Sequence, residues 1–226
     1  VWKGLVLDID SELPIEIIAV AQTGNTIECV LRSRSSQGQL RPHAHALIEF
    51  AREYPTSIDS FEGVEADSEL LNVKPYDGIL FHGESLHLIK TVLVNNETRL
   101  VAELSLFGEP SDWDNEQSRW FAQAPLMDAI FQGAILWTSL SRNSRCLPSK
   151  FAKARYYQPW SAQEATLDLA IESLGDHRLM AHAKVFAKDG SLIAEVEGFE
   201  ATLDASLAES FAMNELASLG SNESNV

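Results

Sequence analysis

The chain is short of cysteine, of basic residues and of long apolar runs, and each shortage removes a class of protein. Only two of its 226 residues are cysteine, Cys29 and Cys146, far apart and outside any metal-ligand spacing. Such a chain is neither a disulfide scaffold nor a cysteine-rich zinc module. Both thiols adjoin strand-like or helix-like sequence and read as buried and reduced, with a disulfide as the alternative. Reduced thiols point to a cytoplasmic location. No stretch approaches the ~20 apolar residues of a membrane span. A basic segment leading into an apolar core and a small-residue cleavage site, the mark of a secretory signal, is also missing. Lys and Arg number 17 against 33 Asp and Glu, a formal charge of −16. Nucleic-acid binders carry a positive surface, so neither nucleic acid nor a membrane is an expected partner.

What is present is a globular composition, 45% hydrophobic and 22% charged, with length for one or two cores. Its most telling stretch runs Pro125-Leu126-Met127-Asp128-Ala129-Ile130-Phe131-Gln132-Gly133-Ala134-Ile135-Leu136-Trp137. A helix apolar on all sides is a buried helix. Positions four apart share a helix face, so Asp128 and Gln132 would stand side by side in the interior. Burial disfavours the charged carboxylate and would let Asp128 act as an acid near neutral pH. With Pro125 suited to a first helical turn, Asp128 also falls in that turn, where the dipole favours negative charge by ~0.3–1 kcal/mol. A dipole-complementing Asp is the bland reading, but it leaves Gln132 without a reason.

Around that helix, from about 125 to 141, the pattern is of strands. In the first part they fall at 5–9, 15–20, 26–32 and 42–50, the last two as a long antiparallel hairpin. Residues 55–69 are polar, acidic and aperiodic, which marks a connection. In the second part strands fall at 86–94, 100–107, 154–157, 164–173, 179–187 and 192–203, with a loop carrying Pro148 at 144–153. Asp189-Gly190 joins the last two strands and is a strong hairpin signal. A coarse repeat is visible, each half closing on a long hairpin with a His-Ala step, His45-Ala46 and His182-Ala183. The chain starts Val1-Trp2-Lys3 without methionine, and its end is small and polar. Both ends read as cuts through something longer. The expected domains are 1–57, 58–75 as linker, 76–208, and a disordered tail or linker at 209–226.

Several segments resemble the dehydratase domains of polyketide synthases. The Asp128-x-x-x-Gln132 helix is similar to the Asp-x-x-x-(Gln/His) helix of those domains, and Leu147-Pro148-Ser149 to the Leu-Pro segment that follows it. The run Leu80-Phe81-His82-Gly83-Glu84-Ser85-Leu86-His87 looks like their Tyr-Gly-Pro-x-Phe-Gln segment, in a form seen in polyunsaturated-fatty-acid and fungal-type iterative synthases. The resemblance covers roughly residues 1 to 205. It implies an α+β double hot-dog, antiparallel sheets each wrapped around a long helix, with the first hot-dog N-terminally truncated and its helix lost.

The resemblance also implies an activity: removal of water from a 3-hydroxyacyl chain on the phosphopantetheine arm of an acyl carrier protein, giving a 2-enoyl chain within a fatty-acid or polyketide synthase. In such domains a histidine of the first hot-dog takes the C2 proton. The helix aspartate, here Asp128, protonates the departing hydroxyl, and Gln132 orients that carboxyl. His82, Gly83, His87, Leu147 and Pro148 would shape the acyl entrance. Neither a metal nor a directly bound cofactor is implied. The implied partners are the carrier protein and neighbouring domains of a megasynthase, and a homodimer is compatible with this.

The sequence departs from the family pattern at three points. The base belongs to a His-x-x-x-Gly-x-x-x-x-Pro motif, and none of His43, His45, His82, His87, His177 and His182 has that spacing. Glu84 stands where the family usually has Pro, and His87 where it has Gln. The alternative is therefore a non-catalytic hot-dog module of the same kind of synthase, and a hot-dog thioesterase is a third reading. Of the remaining histidines, His82 is a surrogate base in one reading, and His43 with His45 share one strand face without an evident third metal ligand. Phe151, Tyr156, Tyr157 and Trp160 read as core or as tunnel lining, and the acidic stretch near Trp113 as a solvated loop.

Overall fold

The computed structural model describes residues 13–35, 37–105, 123–159, 164–173 and 175–207. The strand read at 5–9, the acidic stretch near Trp113, Trp160 and the tail at 209–226 lie outside these residues. The chain divides into two compact units, the first ending at Tyr54 and the second beginning at Pro55.

The first unit is a three-stranded antiparallel sheet of β1 (Ile15–Ala21), β2 (Thr26–Arg34) and β3 (Leu40–Glu49) in that order. Its register aligns Ile17 with Leu31 and Ala44, and Ala19 with Cys29 and Ala46, so one face is apolar over these rows. The ladder shifts between Leu31 and Arg32, where Pro42 stands opposite Arg32 and offers no N–H to pair. His43 hydrogen-bonds Ser33 and His45 hydrogen-bonds Glu28, so both histidines are engaged by side chains of β2. Both cysteines are free, which removes the disulfide alternative. Cys146 is buried, whereas Cys29 is only half-buried, because a three-stranded sheet covers its own faces poorly.

The second unit is a seven-stranded antiparallel sheet against one helix. Its strands are β4 (Ile89–Asn95), β5 (Arg99–Ser105), β6 (Cys146–Lys150), β7 (Lys153–Tyr156), β8 (Glu164–Ser173), β9 (Arg178–Ala187) and β10 (Leu192–Leu203). The order is β4-β5-β8-β9-β10-β6, with β7 also on β10. Alternation along β9 buries Leu179, Ala181, Ala183 and Val185 and turns the residues between them outward, as expected of a sheet with one covered face. The bulge at Gly198 (φ +59°) separates the part of β10 that pairs β7 from the part that pairs β6.

The long helix α1 (Gln123–Arg142) covers that face. Leu126, Ala129, Ile130, Ala134, Ile135, Leu136 and Trp137 are all buried in one core with the strands. Gly133 permits a close approach, since a Cβ there would stand 2.6 Å from Leu167 Cδ2. At its far end Trp137 Nε1 donates to Asn96 O and Asn95 Nδ2 to Ser141 Oγ, which ties the helix to the β4–β5 turn. Asn143 (φ +46°) then takes the left-handed conformation that ends the helix. One long helix on a strongly antiparallel sheet is the hot-dog architecture.

Two readings from the sequence are corrected here. The segment 144–153 is not simply a loop: Cys146–Lys150 forms a strand on β10, with Pro148 opposite Ala201. Proline is tolerated because β6 is the last strand of the sheet and its free side asks for no donor. The stretch 58–75 lacks long elements, yet it is docked on the second unit. Ser60 bridges Ser191, Phe61 stacks on Phe186 and Lys184 Nζ reaches Asp59 at 2.7 Å.

Candidate active site

The site is set by where α1 meets the segment leading into β4. Gln132 lies at the middle of the helix, wholly buried. Asp128, one turn earlier on the same face, keeps 32% of its side-chain surface exposed. The interior pair read from the sequence is thus half right: the amide is in the core and the carboxyl stands at the core's edge. Periodicity names a helix face but not how far the sheet covers that face. A second correction follows from the helix start. Residues 123 to 125 are already helical, so Asp128 lies beyond the first turn and outside the range in which the dipole acts strongly.

Gln132 uses both ends of its amide. Nε2 donates to Asp128 Oδ2 over 2.6 Å and to Leu86 O over 2.9 Å, and Oε1 accepts from the Tyr76 hydroxyl over 2.8 Å. Tyr76 in turn accepts from the backbone N–H of Ile89 at 2.8 Å. Each bond has a forced direction, since a carbonyl only accepts and a backbone N–H only donates. Burial pushes the Tyr76 phenol up to about 12, so it remains a donor at any working pH.

The segment carrying Leu86 folds into a short 3-10 turn at Glu84–Leu86, and that turn aims the Leu86 carbonyl at Gln132. His87 follows it, stacked on the Tyr76 ring at 3.8 Å between centroids and donating from Nε2 to His82 O. His87 therefore braces the wall of the site. Gly83 caps the turn in an extended conformation (φ −69°) that any residue adopts, and a Cβ there would meet nothing within 4 Å.

His82 stacks on Phe81, and its Nε2 stands 3.7 Å from Asp128 Oδ2, near but beyond hydrogen-bond length. Its side chain is only 9% exposed. Nδ1 is buried without a hydrogen-bond partner among the described residues, an unusual state for a buried polar atom. Burial holds the imidazole below its ordinary pKa; the Asp128 charge opposes this and His87 adds to it. The result is a neutral imidazole beside a carboxyl.

Of the residues expected at the site, Asp128, Gln132 and His82 come together, and Gly83 and His87 belong to the same wall. Leu147 and Pro148 lie on β6, paired with Thr202 and Ala201, and no hydrogen bond joins them to Asp128 among the described residues. Tyr76 was not expected. It sits in Pro75-Tyr76-Asp77-Gly78, which looks like an ordinary turn, and its partner Gln132 is 56 residues away. The arrangement can hold a carboxyl in one orientation, leave one of its oxygens open to a ligand, and exchange protons with a neutral base nearby.

Solved structures share this fold. The dehydratase domain of RzxB from Pseudomonas fluorescens is 14% identical, with a TM-score of 0.65 over 88% of this chain and 72% of that one. The dehydratase domain from the CurF module of curacin polyketide synthase is 16% identical, with a TM-score of 0.64 over 89% and 72%. A trans-AT polyketide synthase dehydratase domain from Brevibacillus brevis gives 16%, 0.63, 90% and 74%. No curated protein matches the chain. The sequence profile described as polyketide synthase dehydratase N-terminal domain matches residues 73–209, which is more than half of the chain and includes Tyr76, His82, Asp128 and Gln132. The chain is a member of the polyketide synthase dehydratase family.

Proposed function

We propose that the chain dehydrates 3-hydroxyacyl chains carried on the phosphopantetheine of an acyl carrier protein, within a fatty-acid or polyketide synthase, and releases 2-enoyl chains. The observation that carries this is the carboxyl of Asp128, gripped at Oδ2 by a buried amide while about a third of its side-chain surface stays exposed. A group so held is oriented before substrate arrives, and positioning of a proton donor is worth roughly 10²–10⁴ in rate. In this reading Asp128 protonates the C3 hydroxyl as it leaves. The C2 proton passes to a histidine, which the family resemblance assigns to the first hot-dog. Among the described residues, His82 is the histidine within 4 Å of the Asp128 carboxyl. The electron pair of the C2–H bond becomes the second bond of the alkene, and water departs. No metal or redox group enters this scheme.

His82, Gly83 and His87 would border the path of the acyl chain, with Leu147 and Pro148 at its outer end. The open space at Gly83 is consistent with a ligand passing there. The partners in this reading are the carrier protein and neighbouring synthase domains, and the setting is cytoplasmic.

A second reading, a non-catalytic hot-dog module, draws on the lack of a His-x-x-x-Gly-x-x-x-x-Pro motif within these 226 residues. The two separate in one experiment. The protein is incubated with 3-hydroxybutanoyl pantetheine and the thioester is weighed by mass spectrometry. Loss of one water supports the enzyme, an unchanged thioester supports the scaffold, and release of free acid and thiol would indicate a thioesterase.

A further inference from the structure

We propose that Tyr76 is a positioning residue for the elimination. By fixing the orientation of the Gln132 amide, it makes Oδ1 of Asp128 the oxygen that carries and delivers the proton. The inference rests on Asp128 being the acid.

Ile89 N–H can only donate, so the Tyr76 oxygen spends a lone pair on it and has its own proton free. That proton goes to Gln132 Oε1, which fixes the oxygen end of the amide. Leu86 O can only accept, which fixes the nitrogen end. A flipped amide would set its carbonyl against Leu86 O, a repulsive contact in a wholly buried place. The remaining amide hydrogen is therefore committed to Asp128 Oδ2. An oxygen already accepting that hydrogen is the wrong place for the acid proton, because O–H and N–H would face each other. When the carboxyl is protonated, its proton therefore sits on Oδ1, which has no hydrogen bond from the described residues. His82 Nε2 also approaches the carboxyl on its Oδ2 side, leaving Oδ1 for substrate.

In the reaction the Oδ1–H bond breaks and its proton joins the C3 hydroxyl. The C3–O bond breaks with its electron pair going to the departing water. The C2–H pair forms the alkene as the base takes that proton. Asp128 ends as a carboxylate whose Oδ2 already holds a donated hydrogen, so the charge is stabilised as it appears. Tyr76 touches none of the reacting atoms in this account. It acts through Gln132, and the His87 ring stacked on it limits its own rotation.

Tyr76→Phe removes the proton that fixes the amide while keeping the ring stacked. With 3-hydroxybutanoyl pantetheine as substrate, kcat is expected to fall about 10- to 100-fold with KM unchanged, or about 1.4–2.7 kcal/mol in the barrier. In an Asp128→Asn background, the same change is expected to cost nothing further in residual rate. A purely structural effect would carry through unchanged. An unaltered kcat for Tyr76→Phe, or an equal loss in both backgrounds, would overturn the inference. Should Tyr76→Phe fail to fold, Gln132→Leu removes the same lock from the other end and is expected to show the same loss, with unaltered kcat again overturning it. If instead Asp128→Asn itself keeps full turnover, the acid assignment falls, whatever Tyr76 does.

Discussion

Gln132 is wholly buried, yet its Nε2 donates at 2.6 Å to Asp128, whose side chain remains 32% exposed. The pair straddles the boundary of the core, with the amide anchored inside and the carboxyl presented outward. The amide also carries Leu86 O and the Tyr76 hydroxyl, so a single side chain ties α1 to the segment that enters β4.

Gln132→Leu keeps the volume and removes every one of those bonds. It leaves the Leu86 carbonyl and the Tyr76 hydroxyl without their partner, and orphaned buried groups cost about 1–3 kcal/mol. The expected result is a lower urea midpoint with an unchanged m-value. Equal or greater stability would mean that the network does not hold the helix to the segment.

His82 gives a pH dependence with a definite sign. Burial, the largest cause, lowers its pKa from the ordinary 6.5, so the unfolded chain takes up a proton before the folded one does. Between those two values the unfolded state binds more protons, and stability rises with pH. Acidification below 6.5 should therefore destabilise the protein, and His82→Asn should flatten that part of the curve. Carboxylates held low act further down; Asp189, lowered by its Ser191 hydrogen bonds, loses its contribution only below 3.8. Melting temperatures at pH 7.5 and 5.5 for both proteins decide it. An identical slope in the variant would rule out His82 as the source.

Gly133→Ala tests the closeness of helix and sheet. Helix propensity alone favours alanine by about 1 kcal/mol. Against this, the new methyl would stand 2.6 Å from Leu167 Cδ2, with Leu100 and Leu169 Cδ2 at 3.7 and 3.8 Å. Leu167 is itself fully buried and has little room to give way. Overpacking of this kind costs ~1–3 kcal/mol, so a net loss of stability is expected. A variant that melts higher than the parent would show that α1 sits further from β8.

Much of this was legible in the sequence where the signal is local. The run from Pro125 to Trp137 announced a buried helix because its apolar residues surround the axis. Asp189-Gly190 announced a hairpin because the turn chemistry is contained in two residues. The Asp128 and Gln132 contact followed from helical spacing alone. What escaped depends on distant chain. Pro148 suggested a loop, and only its edge position in the sheet permits a strand there. The exposure of Asp128 depends on where β-structure stops covering the helix. Tyr76 became visible only once Gln132 was folded against it.

The central claim is that the Asp128 carboxyl supplies the proton to the leaving hydroxyl. The direct measurement is the rate of enoyl thioester formation from 3-hydroxybutanoyl pantetheine by the parent protein and by Asp128→Asn, both shown folded by circular dichroism. A positioned acid is worth about 10²–10⁴, so the parent should turn over and the variant should be slower by that factor. A variant that turns over as fast as the parent would contradict the account.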